Sequence, residues 1–471
     1  MHPTPIDRLL ESLAGAVARD GARLSVSHPA ALASHMDGLV REAVFGDAET
    51  KPAARWIIGE AAQTLGIRPA SIHDLYQAEG RDVAPPRFTV PAINLRLLSY
   101  DAARAVFRAA RKIDAGAFIF EIARSEIGYT EQRPAEYAAT IQAAAIREGF
   151  RGPLFLQCDH FQISAKKYAA APDSELQAIR ELIVESLAAS FYNIDIDTST
   201  LVDLTKPTLV EQQRLNYERC AEFTAFIREH QPKGVKVSVG GEIGEVGLKN
   251  STPADLEAFM SGFDRMRGGH EGISKISIQT GTSHGGVVLP DGTLAQVAID
   301  FDVLRALSEE ARKKYGMGGA VQHGASTLPE NAFHKFVQAG ACEVHLATAF
   351  QTLVMDHKAV PEGLRREMVE WVKIHAADER KPKDTEAQFI YKARKKAVGP
   401  FKKHFWSLPA DTLDAIGADL EKAFSFLFGQ LAVAGTAEIV ARTIKAPEIH
   451  RPAPEGAEEG IKHEHVDGLA D

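Results

Sequence analysis

From Phe88 to Phe350 the chain alternates short apolar runs with longer stretches of helical periodicity, a pattern that few folds accept. The apolar runs are expected as strands at residues 88–95, 116–123, 153–160, 192–197, 235–242, 275–281, 319–324 and 343–350. Amphipathic stretches at 101–114, 136–150, 174–190, 208–230, 253–266, 302–314 and 329–339 read as the helices between them, with Pro253 and Pro329 placed as first-turn prolines. Strands joined by helical crossovers pair in parallel, because the crossover carries the chain back to the end of the sheet where the strand began. Eight such units over about 270 residues have the size and order of a (β/α)8 barrel, in which active sites form at the C-terminal ends of the strands. The competing fold is an open doubly wound sheet, but the first strand-to-helix turn, Asn94-Leu95-Arg96, lacks the glycines such a sheet uses to approach a dinucleotide.

At 471 residues the chain has room for additions to a barrel. Residues 1–85 show helical periodicity, for instance Ile6, Leu9, Leu10 and Leu13, then Trp56, Ile57 and Ala61, and are expected as a helical N-terminal extension ending at Pro85-Pro86. The barrel is expected over 86–350, a C-terminal helical region over 351–450 with helices at 363–376 and 411–444, and a mobile tail over 451–471. The basic run Tyr391-Lys392-Ala393-Arg394-Lys395-Lys396 reads as a solvated helix face or, more sharply, as a phosphate contact.

Composition excludes several functions. A net charge of −9 argues against a broad nucleic-acid footprint, so any phosphate site must be local. Cys158, Cys220 and Cys342 are odd in number and widely spaced, which suggests neither a disulfide framework nor a cysteine zinc site. With no basic leader followed by an apolar core and no long apolar run, the sequence reads as that of a cytoplasmic protein with no membrane partner.

Polar residues collect at the expected strand ends. The third strand supplies Asp159 and His160, the fourth Asp197, the fifth Glu242, the sixth leads to His284, and the seventh ends at His323. Side chains alternate along a strand, so Asp159 and His160 leave on opposite sides unless the chain turns between them. Imidazoles from separate strands with a carboxylate nearby suit a catalytic divalent metal: neutral nitrogen ligands keep the ion Lewis acidic and leave a position for substrate. Zinc is the first choice, then cobalt or iron. Thr280-Gly281-Thr282-Ser283-His284-Gly285-Gly286 and His323-Gly324-Ala325-Ser326-Thr327 set small residues beside the ligand candidates. Either run is a tight turn or a loop whose backbone N–H groups face an anion.

With Asp159-His160, Gly281-Thr282-Ser283-His284-Gly285, His323-Gly324-Ala325-Ser326 and Val344-His345-Leu346-Ala347-Thr348, the chain resembles the class II, metal-dependent sugar-bisphosphate aldolases over roughly residues 88–440. The resemblance implies a barrel, dimeric or larger, that joins or splits a ketose phosphate with dihydroxyacetone phosphate as the usual nucleophilic half. It makes His160, His284 and His323 the zinc ligands, Glu242 an alternate ligand, and Asp159 the acid/base for the C4 hydroxyl proton. It also sets Ser125, Gly285, Gly324, Ser326 and Thr348 around a phosphate that a monovalent cation often assists, and Asn94 and Asp197 near the substrate.

This sequence departs from the family at several positions. Its loop after the fifth strand reads Glu245-Val246-Gly247-Leu248-Lys249-Asn250-Ser251, without the acidic pair that supplies the family's base, which leaves Glu245 as the candidate. His345 stands where the family has a substrate-contacting asparagine, Glu343 replaces a lysine, and Ala325 and Ala347 resemble the tagatose-type branch. These changes suggest a substrate other than fructose 1,6-bisphosphate. Two other readings are a non-catalytic sugar-phosphate-binding barrel and, more weakly, a metal-dependent hydrolase or epimerase.

Overall fold

The computed structural model describes residues 3–21, 23–81, 87–244, 249–281, 288–293, 295, 298–456 and 469. Eight parallel strands close into a barrel: β1 (Val90–Asn94), β2 (Ile119–Ala123), β3 (Gly152–Gln162), β4 (Asn193–Asp197), β5 (Ser238–Glu242), β6 (Lys275–Ser277), β7 (Ala320–Gln322) and β8 (Glu343–Leu346). Each pairs with its neighbour in sequence, and β8 returns to β1 through the register Glu343↔Val90 to Leu346↔Ile93. The (β/α)8 expectation holds. Helices return the chain between strands, and their ends follow from local chemistry. Thr252 and Asp255 cap each other's backbone ahead of Pro253 in Pro253–Met266. Phe301–Tyr315 starts on the Asp300 side chain and stops at Gly316, whose φ of +68° a side chain would disfavour.

Several boundaries differ from expectation. The sixth strand, expected to run to 281, pairs only through Ser277. The single stretch expected at 208–230 divides at Gln213 into Leu209–Gln212 and Arg214–His230. The long C-terminal helix is two, Ala410–Gln430 and Thr436–Thr443, separated by Ala432 at φ +56° and Gly435 at φ +71°. Among the described residues no helix is long and apolar enough to cross a membrane. The three cysteines are free and buried.

The residues before the barrel form the helices Pro5–Ser12, Pro29–Phe45, Thr50–Thr64 and His73–Arg81, and also a hairpin and a strand that helical periodicity does not show. The strand Ile67–Ala70 pairs in parallel with Gly152 to Phe155, the part of β3 that precedes its pairing with β4. Asn193 fixes this junction: its amide donates to the carbonyls of Ala70 and Leu156 at 3.2 and 2.9 Å, and its Oδ1 accepts from the Ile72 N–H at 2.8 Å. Helix His73–Arg81 therefore lies across the N-terminal end of the barrel, where a Cβ on Gly80 would come within 2.3 Å of the Gly316 carbonyl oxygen. Toward the other end of the chain, Arg451 returns to the segment before the barrel. Its N–H and C=O bond Glu60 and the Trp56 indole, and its guanidinium reaches Ser190.

Inward positions of the barrel strands are polar. Lys275 Nζ donates to Gln157 at 2.8 Å, Asp195 at 2.9 Å and Glu343 at 2.5 Å, and the Gln157 amide donates to Glu121 and Glu343 at 3.1 and 2.7 Å. Gly240 leaves room for this set, since a Cβ there would sit 2.3 Å from Asp195 Oδ1. Burial favours neutral forms, yet Lys275 and His345 hold the Glu343 carboxyl well below the usual carboxylate range. Removing Lys275 leaves the buried Asp195 and Glu343 carboxylates with His345 alone to balance them, a loss of about 3–5 kcal/mol. Lys275→Met is expected to lower stability by about that amount in urea unfolding followed by circular dichroism; a change below about 1 kcal/mol would show that the barrel closes without the network.

Helix His73–Arg81 also carries Glu79, whose Oε2 is buried without a hydrogen bond and whose carboxyl burial pushes up to about 8, with Arg312 opposing. Between the unfolded value of about 4.3 and the folded one, the native state holds the extra proton, so stability falls as pH rises. Relative to wild type, Glu79→Gln is expected to gain stability progressively from pH 5 to pH 8 in the same assay; a difference independent of pH would refute the assignment.

Candidate active site

The site is built where β3 departs from regular pairing. Its register with β4 shifts between Cys158 and Phe161, and His160 lies in the left-handed region at φ +39°. A non-glycine residue held there costs on the order of 1–3 kcal/mol. The irregularity breaks the alternation of side chains, so that Asp159 and His160, successive in sequence, both reach the barrel mouth. His160 Nδ1 lies 3.4 Å from Asp197 and 3.5 Å from Glu242, and its Nε2 lies 3.7 Å from Asp159. Asp197 is fixed by the Gln162 amide, by the Ser199 N–H at 3.0 Å and by the Ser199 hydroxyl at 2.5 Å.

His323, just beyond β7, packs its ring between two others, with centroids 4.2 Å from His160 and 4.0 Å from His345, and its Nε2 meets the Ser277 hydroxyl at 3.0 Å. His345, on β8, has Nδ1 2.9 Å from Glu121 and 3.2 Å from Asp159, and Nε2 2.6 Å from Glu343. All of these groups are buried or nearly so. Burial alone would keep His160 neutral; Asp159, Asp197 and Glu242 overcome it and push the imidazole up. Burial and the Asp197 charge in turn raise Glu242 to about 7. A buried excess of carboxylates around imidazoles is the electrostatic setting that a divalent cation relieves. One ligand atom from each of Asp159, His160 and His323 lies within 4.8 Å of the others, and the same holds for His160, Asp197 and Glu242. Two imidazoles and carboxylates at this spacing fit a zinc-type ion.

The other candidates lie on further strand ends and loops. Asn94, ending β1, donates to Glu126 at 2.6 Å, and Glu126 also pairs with Arg96 at 2.7 Å. Ser125 is buried in the short helix Arg124–Tyr129 that follows β2. Gly324 adopts φ +69° directly after His323, and the Ser326 hydroxyl accepts from the Ala347 N–H at 3.2 Å, which ties that turn to Thr348 at the start of helix Thr348–Met355. Glu245, His284 and Gly285 lie outside the described residues. The basic run is paired rather than simply solvated: Arg394 bonds Asp356 at 2.8 and 2.9 Å, Lys396 pairs with Glu379 at 3.2 Å, and Lys395 lies 5.8 Å over the Tyr129 ring. Burial, with Arg96 next, lowers the Lys395 ammonium to about 8.

Sequence reasoning did not select Glu121, Gln157, Asp195 or Lys275. For Gln157, Asp195 and Lys275 the signal was present as polar residues two positions apart in otherwise apolar strands, such as Asn193-Ile194-Asp195-Ile196-Asp197, which marks a polar inward face.

A search of curated proteins finds no match to this chain. Solved structures of similar fold include a fructuronate-tagaturonate epimerase, UxaE, from Cohnella laeviribosi, at 12% identity over 91% of this chain and 94% of that one, TM-score 0.50. A Sinorhizobium meliloti 1021 protein described as a probable tagatose 6 phosphate kinase aligns at 17% identity over 78% and 95% of the two chains, also with TM-score 0.50. The fructose-bisphosphate aldolase of Campylobacter jejuni aligns at 17% identity over 79% and 98%, TM-score 0.46. At such identities the likeness is one of fold. The family model described as fructose-bisphosphate aldolase class-II matches residues 81–405, well over half of the chain. This chain therefore belongs to the class II fructose-bisphosphate aldolase family.

Proposed function

We propose that the chain is a zinc-dependent aldolase that makes or cleaves a phosphorylated ketose, with dihydroxyacetone phosphate as one half of the reaction. The observation that supports this most directly is the convergence of Asp159, His160 and His323 at one buried mouth of the barrel. In this reading His160, His323 and His284 hold one zinc per chain, with Glu242 as alternate ligand. Zinc there supplies Lewis-acid polarisation of a ketone oxygen. Asp159 takes the proton of the C4 hydroxyl as the C3–C4 bond breaks and returns it in the reverse direction, a transfer across one hydrogen bond. Its burial excludes the water that would compete for that proton. Glu245 is assigned the proton at the donor carbon. Ser125, Gly285, Gly324, Ser326 and Thr348 receive the phosphate together with a monovalent cation, and Asn94, Asp197 and His345 meet the sugar hydroxyls. The replacement of the family's asparagine by His345 and of its lysine by Glu343 supports a ketose other than fructose 1,6-bisphosphate. We assign the enzyme to the cytoplasm as a homo-oligomer.

A second reading, epimerisation of a keto sugar, is favoured by one observation. The alignment with the Cohnella laeviribosi epimerase extends over 91% of this chain, whereas the family model begins at residue 81. It ranks second because a likeness of fold carries no reaction with it.

Elemental analysis and a panel of ketose phosphates, with and without chelator, test the proposal. About one zinc per chain and chelator-sensitive release of dihydroxyacetone phosphate are expected, and Asp159→Asn should lower turnover by roughly 10²-fold or more while zinc stays bound. Chelator-resistant cleavage would sink the zinc assignment. Zinc binding with inverted sugar instead of cleaved sugar would establish the epimerase reading, and ligand binding without turnover the non-catalytic one.

A further inference from the structure

Beyond the barrel mouth, a line of buried polar contacts runs down through the barrel to the segment that precedes it. Tyr76, on helix His73–Arg81, is fully buried, and its hydroxyl donates to Glu343 Oε2. The other oxygen of that carboxylate accepts from Lys275 at 2.5 Å and Gln157 at 2.7 Å and lies 2.6 Å from His345 Nε2. The opposite ring nitrogen of His345 lies 2.9 Å from Glu121 Oε2 and 3.2 Å from Asp159 Oδ1. With partners on both oxygens, the Glu343 carboxylate cannot rotate without abandoning one of them, so its Oε1 stays against His345. The imidazole in turn is set between Glu121 and Asp159.

Tyr76 is itself held firmly. A Cβ on Gly318 would meet the Tyr76 Cβ at 2.8 Å, and Asn193 fixes the strand that leads into the helix. The ring fills space that phenylalanine would fill equally well, so the hydroxyl is what distinguishes this residue. Tyr76 lies outside the span 81–405 that the family model matches.

We propose that Tyr76 is a positioning residue for Asp159, acting through Glu343 and His345, and that the segment before the barrel thereby belongs to the reaction machinery. This rests on the acid/base role assigned to Asp159. Tyr76→Phe removes one oxygen and keeps the packing. It is expected to lower kcat about tenfold while KM stays within about twofold and zinc content is unchanged, the size typical of losing an outer partner of a catalytic group. In a His345→Asn background the same change should cost less than about twofold, because the line is already interrupted. Independently of turnover, the imidazole ¹⁵N resonances of His345, assigned by their loss in His345→Asn, should move in Tyr76→Phe measured at one pH. Unchanged kcat together with unmoved resonances would overturn the proposal. So would a tenfold loss that persists in the His345→Asn background, since Tyr76 would then act through packing. If no ketose phosphate is turned over, the aldolase reading fails on that ground, while the His345 resonances still decide whether Tyr76 sets the imidazole.

Discussion

The irregularity in β3 at Asp159-His160 is the constraint on which the site depends. A regular strand sends successive side chains to opposite faces, which would put one of this pair in the barrel and the other against the surrounding helices. The register shift and the φ of +39° at His160 bring both to the mouth. Once His160 is there, Asp197 and Glu242 from the next two strands flank one ring nitrogen and the His323 ring packs against it at a tilt. The strain is offset by contacts that only this conformation permits, which is the usual circumstance of a strained residue at a functional site.

Below the mouth the barrel interior is a charged core. Four carboxylates, those of Glu121, Asp159, Asp195 and Glu343, share an enclosed volume with Lys275, His345 and Gln157. In a low-dielectric interior such a set is stable only when each charge has a partner at hydrogen-bonding distance, and each partner thereby fixes the geometry of the next. The result is a rigid polar stack under the site, with Glu343 and His345 at its centre. Glu343 also gives the preceding helix a point of attachment at Tyr76.

The segments flanking the barrel close it from two sides. Residues 67–81 add a strand to β3 and cross its N-terminal end, while the C-terminal helices pack on the outer helix Ser99–Lys112, with Arg108 bonded to Glu421 at 2.6 Å. The chain beyond them returns to Trp56 and Glu60. Sequence periodicity matches the helix Glu362–His375 over 363–376, because an apolar face repeats every 3.6 residues. It misses the strand Ile67–Ala70, whose four residues are too few for any period to declare itself.

The sequence by itself determined the barrel, since eight apolar runs separated by helix-length amphipathic stretches leave one closed parallel arrangement that buries them all. It also determined which strand ends carry Asp159, His160, Asp197, Glu242 and His323, because side-chain type is local information. Only the tertiary structure decided how those groups face one another. The backbone turn at His160 depends on the register of β3 against β4, and the partnership of Lys275 with Glu343 joins residues 68 positions apart. Tyr76 reaches Glu343 across 267 positions. Such contacts arise from closure of the barrel, where inward side chains of separate strands meet in one dry interior, and no local pattern encodes which of them will touch.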